Sequence, residues 1–123
     1  MKSLTRAEEQ VMQVLWSLKK SFLKEIVENS PEPRPHPNTI ATILKILIEK
    51  GFVDFETQGR NNLYHPKISR EEYGKKSAQQ VVKGYFNGSP ALLVSQFLSD
   101  NKLSVEELET LLLKIKSENP KKA

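Results

Sequence analysis

The sequence contains no cysteine. Disulfide scaffolds, thiol catalysis and thiolate metal sites are therefore excluded. Its histidines, His36 and His65, stand apart from one another and from any clustered pair of carboxylates, so no zinc donor set is apparent. No apolar run approaches the roughly 18 residues that a membrane-spanning helix needs, and the first residues form no signal-peptide block. The expectation is a soluble, cytoplasmic protein with no membrane insertion. Nucleophile–base pairs, carboxylate dyads and phosphate-cradling glycine loops are also missing. That argues against an enzyme, and no cofactor is expected.

What is present suits a small globular protein. With 123 residues the chain is long enough for one domain or two small modules with modest cores. A hydrophobic content of 37% rules against wholesale disorder. The net charge of +4 tilts toward an anionic partner. That excess divides equally about residue 68, so charge does not say which part would meet nucleic acid.

The stretch Asn38–Gly51 organises the rest. Ile40, Ile43, Leu44, Leu47 and Ile48 fall at i, i+3, i+4, i+7 and i+8, one apolar stripe on a helix. Asn38, Ala41, Thr42, Lys45 and Glu49 occupy the other face. Near its start that face is small, polar and not acidic, as a helix lying in a DNA major groove requires. An ordinary core helix has the same stripe, so the flanking segments must discriminate. Gly51 ends the helix as a C′ residue.

Before this stretch, Thr5-Arg6-Ala7-Glu8 has capping-box spacing and opens a helix to about Leu18. Ala7, Val11, Leu15 and Leu18 are expected to face in, with Met12 and Trp16 to one side. Ser21 is expected to cap a short helix, Phe22–Asn29. Prolines at 31, 33, 35 and 37 then impose an extended connector. After Gly51 the period changes to two. Phe52–Thr57 reads as a strand, 58–62 as a turn with Arg60 at its tip, and Leu63–His65 as a returning strand ended by Pro66. Helix, helix, helix, hairpin is the order of a winged helix. The expected fold is mainly α with a small β-hairpin wing: a winged helix-turn-helix over 1–68 and a helical region over 69–118, with 119–123 as a flexible tail.

In the second region, Ser69–Glu72 and Ser104–Glu107 have capping-box spacing, and Ser89-Pro90 starts a helix. The segment Ala91–Ser99 is apolar nearly all round. Three helices in about 55 residues cannot bury such a surface alone. The expectation is dimerisation through Leu92, Phe97, Leu98, Leu108, Leu111 and Leu112, the alternative being a core within one chain.

Together these residues resemble the penicillinase/methicillinase repressor (BlaI/MecI) family, from Leu4 to about Ile115. The family's opening pattern appears as Leu4, Thr5, Glu8 (or Glu9), Val11, Met12, Leu15 and Trp16. Its third-helix pattern appears as Thr39, Ile40, Thr42, Leu44, Leu47, Lys50, Gly51 and Phe52. Tyr64, Pro66, Ser69–Tyr73 and Phe86–Ser89 follow in the family's order. The resemblance implies a homodimeric repressor on inverted-repeat operators of double-stranded DNA, controlling resistance-type genes under a β-lactam-type signal. It also implies release by a membrane metalloprotease sensor that cuts an Asn-Phe bond in the penultimate helix, where this chain has Gln96-Phe97. Copper-responsive relatives use C-terminal cysteines, which are missing here. Many relatives carry arginine where Ile46 stands.

On this reading Thr39, Thr42 and Lys45 enter the major groove, Lys45 as a phosphate grip. Asn38 serves as N-cap at a helix N-terminus that favours phosphate. Arg60 reaches phosphate or the minor groove from the wing, its plain alternative being a solvated turn residue. Lys24 is either a phosphate contact or simply solvated. The competing function is a protein-binding adaptor that uses the winged helix without DNA.

Overall fold

A computed structural model describes residues 3–118, so the tail expected over 119–123 lies outside the described residues. The element order is α1 (Arg6–Leu18), β1 (Ser21–Phe22), α2 (Leu23–Glu28), α3 (Pro37–Glu49), β2 (Val53–Gln58), β3 (Asn61–Pro66), α4 (Arg70–Tyr85), α5 (Pro90–Ser99) and α6 (Val105–Glu118). No helix among the described residues is long and apolar enough to cross a membrane.

Two compact units divide the chain, one up to Gly74 and one from Lys75. The first has a conventional core. Met12, Leu15, Ile26, Leu44 and Leu47 are completely removed from solvent, with Ile40 and Val53 nearly so. In α1 the inward stripe is Val11, Met12, Val14 and Leu15. Met12 is thus central, whereas Ala7, expected inside, is exposed. The helix is rotated toward its Met12 side, and Glu8, one turn earlier on that side, is buried too. Thr5 and Glu8 complete the capping box, with backbone N–H to side-chain oxygen distances of 3.1 and 3.2 Å.

Glu8 also receives the Lys50 ammonium at 2.6 Å, joining the start of α1 to the end of α3. Lys50 donates as well to the Ser3 carbonyl at 3.3 Å. The Lys50 hydrogen bond holds the Glu8 carboxyl below its ordinary value of 4.5, against the upward push of burial, with help from Thr5.

Ser21 does not cap a helix. With Phe22 it forms a third strand, pairing Ser21 with Tyr64 and Phe22 with Leu63, so the sheet order is β1-β3-β2. The expected two-stranded wing is therefore three-stranded at its base. Phe22 is the N-cap residue of α2, and its backbone N–H donates to the Glu25 carboxylate at 2.9 Å. The hairpin itself pairs Val53 with Pro66 through Gln58 with Asn61. Gly59, at φ +64°, takes the first central position of the two-residue turn, as a type II′ hairpin requires. Along β2 only Val53 is buried, and Phe55 is exposed beside Tyr64.

The first turn of α4 belongs to this unit. Tyr73 is buried between Trp16 and Phe52, with ring centroids at 5.8 and 5.9 Å. The Trp16 indole N–H donates to the Ile68 carbonyl at 2.8 Å. The Arg70 guanidinium lies 5.9 Å over the Trp16 ring and donates to the Ser17 hydroxyl at 3.1 Å. These contacts carry the compact unit past residue 68 to Gly74.

The second unit is held by local turns and caps. Asn87 and Gly88 take positive φ after α4, and Gly88 N–H returns to the Val82 carbonyl at 3.0 Å. Ser89 caps α5 through Leu92 N–H at 3.3 Å. Ser104 and Glu107 form a reciprocal capping box on α6, both distances 3.0 Å. Neither α5 nor α6 has a buried residue.

Two stability measurements test this packing. Gly51 has φ +85°, with the Schellman bonds Phe52 N–H to Leu47 carbonyl (2.9 Å) and Gly51 N–H to Ile48 carbonyl (3.0 Å). Gly51→Ala should cost about 1 kcal/mol in urea denaturation, through backbone strain alone. Lys50→Met leaves a buried carboxylate unpaired and should cost about 2 kcal/mol at pH 7. The folded-state value of Glu8 lies below the unfolded one, so the pair stabilises fully above pH 4.5 and the contribution is lost as pH falls through the folded value. The gap between wild type and Lys50→Met should therefore shrink in acid. A gap unchanged from neutral pH to acid would contradict the role of the pair.

Candidate nucleic-acid interface

Burial of one face of α3 determines what the other presents. Ile40, Leu44 and Leu47 are at most 1% exposed, and Ile43 and Ile48 pack partly against the same core. Asn38, Thr39, Thr42 and Lys45 are all exposed. No acidic residue lies in the first turn, and Glu49 is the one carboxylate of the helix, at its end.

The start of α3 differs from expectation. His36, not Asn38, is the N-cap: its Nδ1 accepts the Asn38 N–H at 3.0 Å. Pro37 takes the first helical position, where a missing N–H costs nothing. This moves Asn38 into the helix and leaves its side chain free of capping duty. The Asn38 carbonyl accepts the Thr42 hydroxyl at 3.0 Å. A proline preceded by a hydrogen-bond acceptor was the available signal, and the asparagine one residue later competed with it.

Arg60 is exposed at the wing tip. Arg60 and Lys24 line one cleft of about 640 Å³ between α2, the start of α3 and the wing, together with Pro37 and Asn62. The cleft is electrostatically mixed, because Glu25 and Glu28 line it too. Lys24 lies 4.0 Å from the Glu28 carboxylate, four residues on, with both side chains largely solvated. Such an exposed pair is weak, so Lys24 is available to an outside anion at small cost. The structure thus brings Lys24 and Arg60 to one cleft, and places Asn38, Thr39, Thr42 and Lys45 on one helix surface.

The six apolar residues expected at a dimer contact all lie in the second unit. Leu92, Phe97, Leu111 and Leu112 are 46 to 48% exposed, and Leu98 and Leu108 are half-buried. Gln96 and Phe97 are both exposed on α5, with the Gln96 amide donating to Asp100 at 3.1 Å. Tyr85 and Leu113, outside that set of six, are more exposed still, at 83% and 69%. Among the described residues no group of three or more His, Asp or Glu side chains converges to hold a metal ion.

A family profile described as penicillinase repressor matches residues 4–117. The chain is 31% identical over 109 residues to the penicillinase repressor of Bacillus licheniformis, covering 88% of this chain and 85% of that protein. It is 26% identical over 109 residues to the methicillin resistance regulatory protein MecI of Staphylococcus aureus, covering 88% and 89%. Among solved structures, the DNA binding domain of the repressor BlaI is 31% identical, with a TM-score of 0.51, covering 59% of this chain and 94% of that one.

Because the Lys45 and Arg60 side chains are exposed and bond to no side chain or backbone group among the described residues, the Lys45→Ala, Arg60→Ala double variant should unfold within about 0.5 kcal/mol of wild type. Urea denaturation checks this. A larger loss would mean that these side chains serve the fold instead.

Proposed function

The chain belongs to the penicillinase repressor family, and from that premise we propose that it is a homodimeric, sequence-specific DNA-binding transcriptional repressor. The observation that carries this reading is the exposed threonine-lysine surface of α3, with the Arg60 wing on the same compact unit. The helix enters the major groove. Thr39 and Thr42 meet base edges, and Lys45 and Asn38 position the helix on phosphates. Arg60 contacts phosphate or minor groove from the wing, and Lys24 contacts phosphate from the other wall of the cleft. The regulated genes are of the resistance type, after the penicillinase and methicillin resistance regulators that the chain resembles.

Residues 1–68 serve as the DNA-binding domain and 69–118 as the dimerisation domain. What supports the second role is exposed apolar surface: nine large hydrophobic side chains between Val81 and Ile115 are at least 43% exposed. A second copy covers Leu92, Phe97, Leu98, Leu108, Leu111 and Leu112. Two-fold symmetry then dictates inverted half-sites spaced by about 10 base pairs or a multiple. A membrane metalloprotease cuts near Gln96-Phe97, in an apolar helix whose loss undoes the dimer. The protein acts in the cytoplasm, where its operator is.

Binding to a duplex should weaken across sequences in the Lys45→Ala, Arg60→Ala variant. The slope of log affinity against log salt should fall by roughly 1 for each phosphate that the variant no longer neutralises. Unchanged mobility shifts in the variant would contradict the assignment of these residues. Intact protein that shows no saturable, salt-sensitive binding to duplex DNA would favour the adaptor function. Leu111→Asp with Leu112→Asp should halve the sedimenting mass, whereas a wild type that already sediments as one chain would contradict the dimer.

A further inference from the structure

The outward half of α3 carries two rows of side chains with different chemistry. At about 100° per residue, Asn38, Lys45 and Glu49 share one row, polar and charged. Thr39, Thr42 and Ile46, at i, i+3 and i+7, share the other.

The second row is short of hydrogen-bond donors. Thr42 Oγ1 already donates its proton to the Asn38 carbonyl at 3.0 Å. A hydroxyl has one proton, so Thr42 retains lone pairs and a γ-methyl for an outside partner. Ile46 is half-buried, and among the described residues it stands outside the core packing that takes Ile40, Ile43, Leu44, Leu47 and Ile48. An isoleucine on a reading surface, released from the core, offers methyl groups and nothing else. The row holds no guanidinium for guanine and no amide for adenine. In the major groove the apolar feature of a base pair is the thymine C5-methyl.

We propose that Thr42 and Ile46, flanked by Thr39, read thymine C5-methyl groups, so that specificity at these base pairs rests on apolar contact. This rests on the DNA-binding reading above. The polar row, through Lys45, fixes position on phosphates and leaves base discrimination to the methyl row.

The test uses the intact protein and duplexes that it selects from a random-sequence pool. Each selected duplex is prepared once with thymidine and once with deoxyuridine, which removes the C5-methyl and keeps every Watson–Crick bond. Affinity should fall about fourfold for each recognised methyl removed. Thr42→Val keeps the methyl and discards the hydroxyl, so its preference for thymidine over deoxyuridine duplex should stay as wide as that of wild type. Thr42→Ser keeps the hydroxyl and drops the methyl, and its preference for thymidine duplex should narrow. Ile46→Ala should narrow it at a different base pair. Equal affinity of wild type for the two duplexes would overturn the proposal while DNA binding stands, as would tight binding by Thr42→Ser with loss in Thr42→Val. Failure to select any duplex would overturn the DNA-binding reading, and this proposal with it.

Discussion

Ile40, Leu44 and Leu47 lie one helical turn apart and are removed from water almost completely. Each contributes about 2 kcal/mol by that burial. Their common constraint fixes the rotation of α3 about its own axis. Turning the helix by one residue would carry Ala41 and Lys45 inward, exchanging leucine for a charge that has no partner there. The outward position of Thr39, Thr42 and Lys45 is thus set by the core and needs no separate contact. The backbone of the surface proposed to meet DNA is therefore set before any duplex arrives, which leaves side-chain ordering as the conformational cost of binding.

Two further devices fix where that helix begins and ends. His36 and Pro37 start it, the imidazole accepting the N–H that Asn38 would otherwise leave unpaired. Gly51 stops it, and Lys50, one residue earlier, returns to Glu8 at the start of α1. The strand β2 follows directly from this stop, so the position of the wing is coupled to the end of α3. The base of the wing is held from the opposite side by Ser21 and Phe22. Cap, stop and sheet edge together place Arg60 and Lys24 on one cleft.

The amphipathic helix, the wing and the family were legible in the sequence because each has a periodic or ordered signature. The stripe of α3 and the alternation after Gly51 are signals of that kind. Ser21–Phe22 had none: two residues show no period, and a serine before an apolar run imitates a cap. The Glu8–Lys50 pair joins residues 42 apart in the chain, and Glu8 already had a local explanation in its capping box. Tyr73 reads from sequence as part of a separate helical region, because its partners Trp16 and Phe52 are distant along the chain. Ala7 reads as inside and Met12 as to one side because spacing alone does not fix the rotation of a helix. The candidate contacts were legible as residue types on an exposed face, while the engaged hydroxyl of Thr42 and the freed side chain of Asn38 required coordinates.

If the DNA-binding proposal holds, the outer face of α3, with the wing, is the surface that duplex DNA covers. Backbone amide chemical shifts of the intact, isotopically labelled protein, followed while a short duplex is added at low ionic strength, report on that surface residue by residue. The largest changes should fall on residues 38–46 and at Gly59 and Arg60. Changes confined to the exposed face of α1, or none at saturating duplex, would contradict it.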